Sequence, residues 1–220
     1  MDKHSFYSNI LPREYYLTDG LALARSLIGK VLVRRVGEDI VAGIISETEA
    51  YMGITDKASH AYGGRRTART ETMYLEGGHA YVYLIYGIYS CMNITANKRD
   101  NPEAVLIRGV VPLSGFDKML CNVSTFGKRR TPLDPDRYRK SPHKLTDGPG
   151  KLCTAMNIHR ELDRTDMCLP GSQLFVADMG ITPTHGISES PRIGIDYAEE
   201  AAFFPWRYTA NHAFKMASTV

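Results

Sequence analysis

Asp39-Ile40-Val41-Ala42-Gly43-Ile44-Ile45-Ser46-Glu47-Thr48-Glu49-Ala50-Tyr51 alternates with a period of two, which specifies a strand rather than a helix. Val41, Ile45, Glu47, Glu49 and Tyr51 share one face; Ala42, Ile44, Ser46, Thr48 and Ala50 share the other. The first face passes from apolar to acidic to aromatic along its length. A strand that starts in a core and ends in two carboxylates and a tyrosine runs into a cleft.

Outward from this strand, Thr18-Asp19 reads as a helix N-cap, with Leu21, Ala24 and Leu27-Ile28 at helical spacing and Gly29 as the stop. Residues 52–72 have no period and read as a long loop. Tyr81 to Ile85 reads as a strand, Tyr86-Gly87 as a tight turn and Ile88 to Thr95 as the returning strand. Ala104 to Val111 is a further strand carrying Arg108, and Leu113 to Leu120 reads as a short helix. Asp147-Gly148-Pro149-Gly150-Lys151 opens a helix, and Arg192-Ile193-Gly194-Ile195 reads as a late strand. Strands outnumber helices and are joined by hairpins or loops. The expected fold is α+β: a single domain over 1–220, a mixed, mostly antiparallel sheet with surrounding helices and a protruding β-hairpin.

The 220 residues, 43% apolar and 23% charged, suit one globular domain. No apolar run approaches the roughly 18 residues of a membrane span, and the amino-terminal residues lack a signal-peptide pattern. A cytoplasmic protein is expected, nucleoid-associated if prokaryotic and nuclear if eukaryotic. Cys91, Cys121, Cys153 and Cys168 form no C-x-x-C pair, so they read as reduced, mostly buried thiols, and no metal site is called for. The formal net charge is only +3, yet seven basic residues against Asp134 and Asp136 give the stretch from Gly127 to Lys144 a charge of +5. This points to a polyanion; residues 121–144 read as a disordered basic insertion.

Two carboxylates two residues apart on one strand face can serve the cleavage of a glycosidic C–O or C–N bond. Tyr74, Tyr81, Tyr83, Tyr86 and Tyr89 supply flat aromatic faces. Tyr86, at a hairpin apex, is placed to wedge between stacked bases. Asn93, polar in an apolar strand, must find a partner or face a pocket. His60, Gly63-Gly64, Arg65, Arg66 and Arg69, together with Gly148 to Lys151, have the composition of a phosphate-contacting surface. Three readings satisfy these features: an enzyme acting on nucleic-acid bases, a nucleic-acid-binding module without chemistry, and a carbohydrate hydrolase using Glu47 and Glu49.

Glu47 to Tyr51, His60 to Arg65, Tyr81 to Gly87, Cys91 to Ile94, Val105 to Arg108, Gly148 to Cys153 and Arg192 to Ile195, in that order, resemble the alkyladenine (3-methyladenine, methylpurine) DNA glycosylases of the mammalian type, from about residue 15 to about residue 209. The resemblance implies a fold like the carboxyl-terminal domain of methionyl-tRNA formyltransferase. It implies a monofunctional enzyme without lyase activity that flips alkylated or deaminated purines out of double-stranded DNA and hydrolyses the N-glycosidic bond. No cofactor is implied, and a monomer is expected. Glu49 would activate water, with Arg108 and the Ile193 carbonyl holding it. Tyr51, His60 and Tyr83 would form the base pocket, Asn93 would exclude guanine and Tyr86 would intercalate. Arg65, Arg66, Arg69 and Lys151 would contact the DNA backbone, and Glu47 would support.

Overall fold

The computed structural model describes residues 3–127 and 133–216. Short helices α1 (Lys3–Ser8), α2 (Arg13–Tyr16) and α3 (Gly20–Ser26) lead into strands β1 (Val31–Val36) and β2 (Asp39–Tyr51). The hairpin β3 (Ala80–Ile85) and β4 (Tyr89–Ala96) follows, then β5 (Glu103–Ser114), α4 (Phe116–Thr125), α5 (Pro135–Lys140) and α6 (Pro149–Ala155). The chain closes with β6 (Leu174–Ala177), β7 (Ile181–Pro183), β8 (Ser188–Ser190), β9 (Arg207–Thr209) and β10 (Phe214–Met216). The main sheet runs β3-β4-β5-β2-β1-β6, with β9 pairing both β2 and β8. Its paired strands are antiparallel. The fold is α+β, as expected.

β2 is the axis of the molecule. Its first half pairs β1, its second half pairs β9, and β5 flanks it from Ala42 to Tyr51. Nearly all of its residues are buried. The even face meets α3, where the Thr48 hydroxyl donates to the Ala24 carbonyl at 2.8 Å. The odd face, bearing Glu47, Glu49 and Tyr51, is left for a cavity. α3 begins as expected: the Asp19 carboxylate accepts from the Leu21 and Ala22 N–H groups at 3.0 and 2.9 Å, satisfying two otherwise unpaired donors.

Three expectations need correction. The apolar stretch from Leu113 to Leu120 is divided: β5 runs on to Ser114 because β2 offers a ladder partner at Ala42. Gly115 then turns the chain at φ +73, where a Cβ would meet the Ile40 carbonyl oxygen at 2.4 Å, and the helix starts at Phe116. Arg192 to Ile195 is not a strand; the Ile193 N–H donates to a side chain instead of a ladder partner. Cys121–Thr125 completes α4, tied to α6 by Asn122 Nδ2 donating to the Ala155 carbonyl at 2.8 Å. Asp134 caps α5, whose Arg137, Arg139 and Lys140 sit where the helix dipole favours cations. Residues 128–132, and with them Lys128, Arg129 and Arg130 of the expected basic insertion, lie outside the described residues. Finally, only Cys91 and Cys153 are buried; Cys121 is exposed and Cys168 half-buried.

Candidate active site

Glu49 is completely buried. One of its oxygens accepts from the Ile193 N–H at 2.8 Å and the other from the Tyr51 hydroxyl at 3.0 Å. The Arg108 Nε lies 3.5 Å from Glu49 and donates to Glu47 at 2.9 Å. Burial raises the Glu49 pKa above the ordinary carboxylate value, although Arg108, the Ile193 N–H and the Tyr51 hydroxyl all favour the anion. Burial also opposes the Arg108 charge, but Glu49 and Glu47 outweigh it and its pKa is raised. A carboxylate that is dry, oriented and held near a cation suits general-base work.

The two carboxylates thus divide their roles by environment. Glu47 lies between two guanidinium groups, Arg108 and Arg207 (3.0 Å), and so fixes the position of Arg108. The register of β2 against β5 shifts on both sides of Glu47. This irregularity aims the acidic pair and Arg108 at one point.

A cavity of about 370 Å³ is walled in part by Tyr51, Arg108 and Ile193, the residues that hold Glu49, and lies within the roughly 300–1,000 Å³ of small-molecule sites. Tyr51, His60, Tyr83, Tyr86, Asn93, Arg108 and Ile193 all line it, and so does Arg69. The His60 and Tyr83 rings meet edge to face, centroids 4.7 Å apart. His60 Nδ1 lies 2.9 Å from the Tyr81 hydroxyl. Burial, then the charges of Arg69 and Arg65, push the His60 pKa down to about 4, so the ring is neutral at physiological pH. Asn93 is buried and donates to the Tyr81 carbonyl at 3.3 Å.

Tyr86 is 90% exposed. It and Gly87 both have positive φ, +52 and +69, as a tight hairpin turn of primed type requires. Asn or Gly is the usual residue at the first of these positions. A tyrosine held left-handed and bare to solvent breaks a local rule with no packing return, and such conflicts cluster at functional sites.

The loop basic residues separate. Arg66 is engaged by Glu71 and Asp100 at 2.7 and 2.6 Å and lies over the Tyr74 ring. Lys151 pairs with Asp147 at 2.7 Å on the surface. Arg65 is exposed. Arg69 turns to the cavity, its guanidinium carbon 5.3 Å from the Tyr83 ring centre. Ile193 reaches Glu49 through its N–H, whereas the expected role fell to its carbonyl.

Asp56 was not singled out in the sequence, and Arg192 stood there only as the first residue of a motif, with no role of its own. They form a bidentate ion pair at 2.5 and 2.8 Å with both side chains fully enclosed. Arg192 also donates to the Ala50 and Ala201 carbonyls and lies between the Tyr51 and Trp206 rings. Asp56 accepts from the Met52 and Ala58 N–H groups as well. The pair fastens the segment after β8 to the end of β2, and the next residue, Ile193, holds Glu49. Its members are 136 positions apart, so no local spacing points to it.

A family model for methylpurine-DNA glycosylase matches residues 14–213. The chain is 45% identical over 199 residues to a Clostridium botulinum (strain Alaska E43) protein named "Putative 3-methyladenine DNA glycosylase", covering 90% of this chain and 94% of that one. A Clostridium acetobutylicum protein of the same name is 46% identical over 198 residues, with 90% and 92% covered. One from Desulfitobacterium hafniense (strain Y51) is 43% identical over 206 residues, with 90% and 93% covered. These relatives are bacterial, whereas the sequence resemblance was drawn to the mammalian type.

Proposed function

This chain belongs to the methylpurine-DNA glycosylase family, and from that premise we propose that it extrudes alkylated or deaminated purines from duplex DNA and hydrolyses their N-glycosidic bond, leaving an abasic site. Candidate lesions are 3-methyladenine, 7-methylguanine, hypoxanthine and ethenoadenine. The reaction is the first step of base excision repair, carried out by a monomer wherever the cell keeps its DNA. No helix among the described residues is long and apolar enough to cross a membrane.

The observation that carries this reading is Glu49: a fully buried carboxylate with a raised pKa, beside a cavity walled by aromatic rings. A module that only bound nucleic acid would have no use for such a desolvated anion. In the proposed reaction the nucleotide leaves the stack at a cost of a few kcal/mol, and Tyr86 fills the gap. The base lies among Tyr51, His60 and Tyr83, whose rings favour a ring-alkylated, cationic purine by roughly 0.5–2 kcal/mol per contact. Asn93 rejects the exocyclic amino group of guanine. Glu49 takes a proton from water held near Arg108 and Ile193, and the water oxygen attacks C1′. Arg65 and Lys151 are candidates for backbone phosphates. Strand cleavage by a lyase needs an amine nucleophile, and no lysine among the described residues lines the cavity.

The test is incubation with a duplex carrying one hypoxanthine, followed by alkali to reveal abasic sites and chromatography of the free base. Release of hypoxanthine, with strand breaks only after alkali, is expected. No release from this duplex or from methylated DNA would exclude the glycosylase reading, and breaks before alkali would exclude its monofunctional form.

A further inference from the structure

Tyr86 is not alone at the cavity mouth. Tyr197 lines the same cavity and is 70% exposed. A single exposed hydrophobic residue is ordinary; what separates Tyr197 is that it shares a cavity wall with Tyr86, Arg108 and Ile193. It belongs to a kinked 3-10 segment, Asp196–Phe203, and its flanks decide its position. Ile195 and Ala198 are buried in a small cluster with Ala58 and Ala201, against which Tyr51 packs. With residues on both sides of it drawn inward, the Tyr197 side chain is left outside. Among the described residues none hydrogen-bonds its hydroxyl or stacks on its ring.

The segment is firmly held for a stretch of surface chain. Arg192 donates to the Ala201 carbonyl at 3.3 Å, and the Ala198 N–H donates to the Ile195 carbonyl at 2.8 Å. The Lys57 ammonium bridges Glu199 and Glu200 at 2.5 and 3.0 Å. Glu199 sits at φ +52, ψ −129, a conformation that strains a residue bearing a Cβ and persists only where the surroundings impose it. The outcome is a bare aromatic face on a fixed backbone, with little chain freedom to lose when something lies against it.

Building on the glycosylase reading, we propose that Tyr197 is a positioning residue whose ring bears the deoxyribose of the extruded nucleotide. The placement follows from the chemistry. For water held near Arg108 and Ile193 to reach C1′, the sugar must come to the wall that Ile193 forms, while the base goes in among Tyr51, His60 and Tyr83. Tyr197 lies further along that wall, and Gly194 between them adds no side chain to block the approach. The C–H face of a sugar offers apolar surface to an aromatic ring. This contact exists only in the extruded state and does not depend on which base is attached. It therefore favours extrusion of every lesion alike and leaves the choice among lesions to the pocket within.

The test measures binding in a Glu49→Gln background, where the bond stays intact, to an ethenoadenine duplex, a hypoxanthine duplex and an undamaged duplex of the same sequence. Ethenoadenine fluorescence reports its own unstacking. Adding Tyr197→Ala should lower the affinity for both lesion duplexes, relative to the undamaged one, by the same factor. That factor is about fivefold or more, the scale of losing one aromatic stacking surface, with Tm unchanged. Tyr197→Phe, which keeps the ring, should restore the preference. Equal loss on all three duplexes would overturn the inference and make Tyr197 a general duplex contact. Loss on one lesion alone would overturn it by making Tyr197 a base contact, and a matching fall in Tm by making it structural. An unchanged preference would overturn it too, as would a phenylalanine variant as weak as the alanine one. If the Glu49→Gln protein shows no lesion preference and the wild type releases no base, the glycosylase reading itself fails and takes this inference with it.

Discussion

The floor and the rim of the cavity are built on opposite principles. The floor, Tyr51 and Arg108 with the enclosed Glu49 beneath them, sits on adjacent strands, is largely closed to solvent and is tied in by hydrogen bonds and an ion pair. The rim is open: Tyr86 is 90% and Tyr197 70% exposed, and Ile193 is half exposed. Chemistry needs groups held within a fraction of an ångström, so it stands on the sheet. Engaging a large polyanion needs surfaces that reach out, and the proposed function gives that task to a hairpin tip and a loop. Ile193 belongs to both regions, because its side chain faces out while its N–H holds Glu49.

The comparison predicts that floor substitutions disturb folding or rate and rim substitutions disturb DNA binding. Arg192→Gln should have the largest effect on stability. It leaves the Asp56 carboxylate enclosed without its cation, at a cost of about 3–5 kcal/mol, read as a fall in Tm. Release should fall with it, because Ile193 loses its anchor; an unchanged Tm would show that the floor is not built on this pair. Tyr86→Ser should leave Tm unchanged and weaken binding to lesion duplexes by roughly tenfold or more, the worth of one lost base–aromatic stack. A fall in Tm with normal binding would reverse the assignment of the rim. Arg66→Gln should do least, because its charge is already compensated and an exposed ion pair contributes about 0–1 kcal/mol. A drop of about one in the salt slope of duplex binding would show that Arg66 exchanges its carboxylates for phosphate.

How far each region was legible follows from how local its physics is. The strand carrying Glu47, Glu49 and Tyr51, the Asp19 cap and the Tyr86-Gly87 turn each leave a short-range pattern, and each was read correctly. The residues proposed for the base pocket came from the ordered motifs of a known family, and the fold brings them to one cavity. The pairing of Asp56 with Arg192 was not legible, although Arg192 opens a family motif, because two buried partners in different loops have no spacing rule. The division between β5 and α4 was missed because an apolar run has no period to say where a ladder ends. Arg66 and Arg69 are both exposed, yet Arg66 pairs with Glu71 and Asp100 while Arg69 reaches the cavity wall; composition does not carry which side chain finds a carboxylate.

The central claim is that Glu49 is the general base, and Glu49→Gln tests it most directly. Single-turnover release from a hypoxanthine duplex should fall by about 10²–10⁴-fold, while binding to an abasic-site duplex stays near wild type. The raised pKa fixes two further signs. Wild-type release should fail as pH drops through the Glu49 pKa, at a higher pH than for an ordinary carboxylate, and the variant should lack that limb. A carboxyl group whose pKa rises on folding favours the native state while protonated, and this contribution is lost as pH rises through its folded value. The variant's Tm at neutral pH should therefore equal or exceed that of wild type. Equal loss of release and of abasic-site binding, with a lower Tm, would contradict the account and make Glu49 a structural residue.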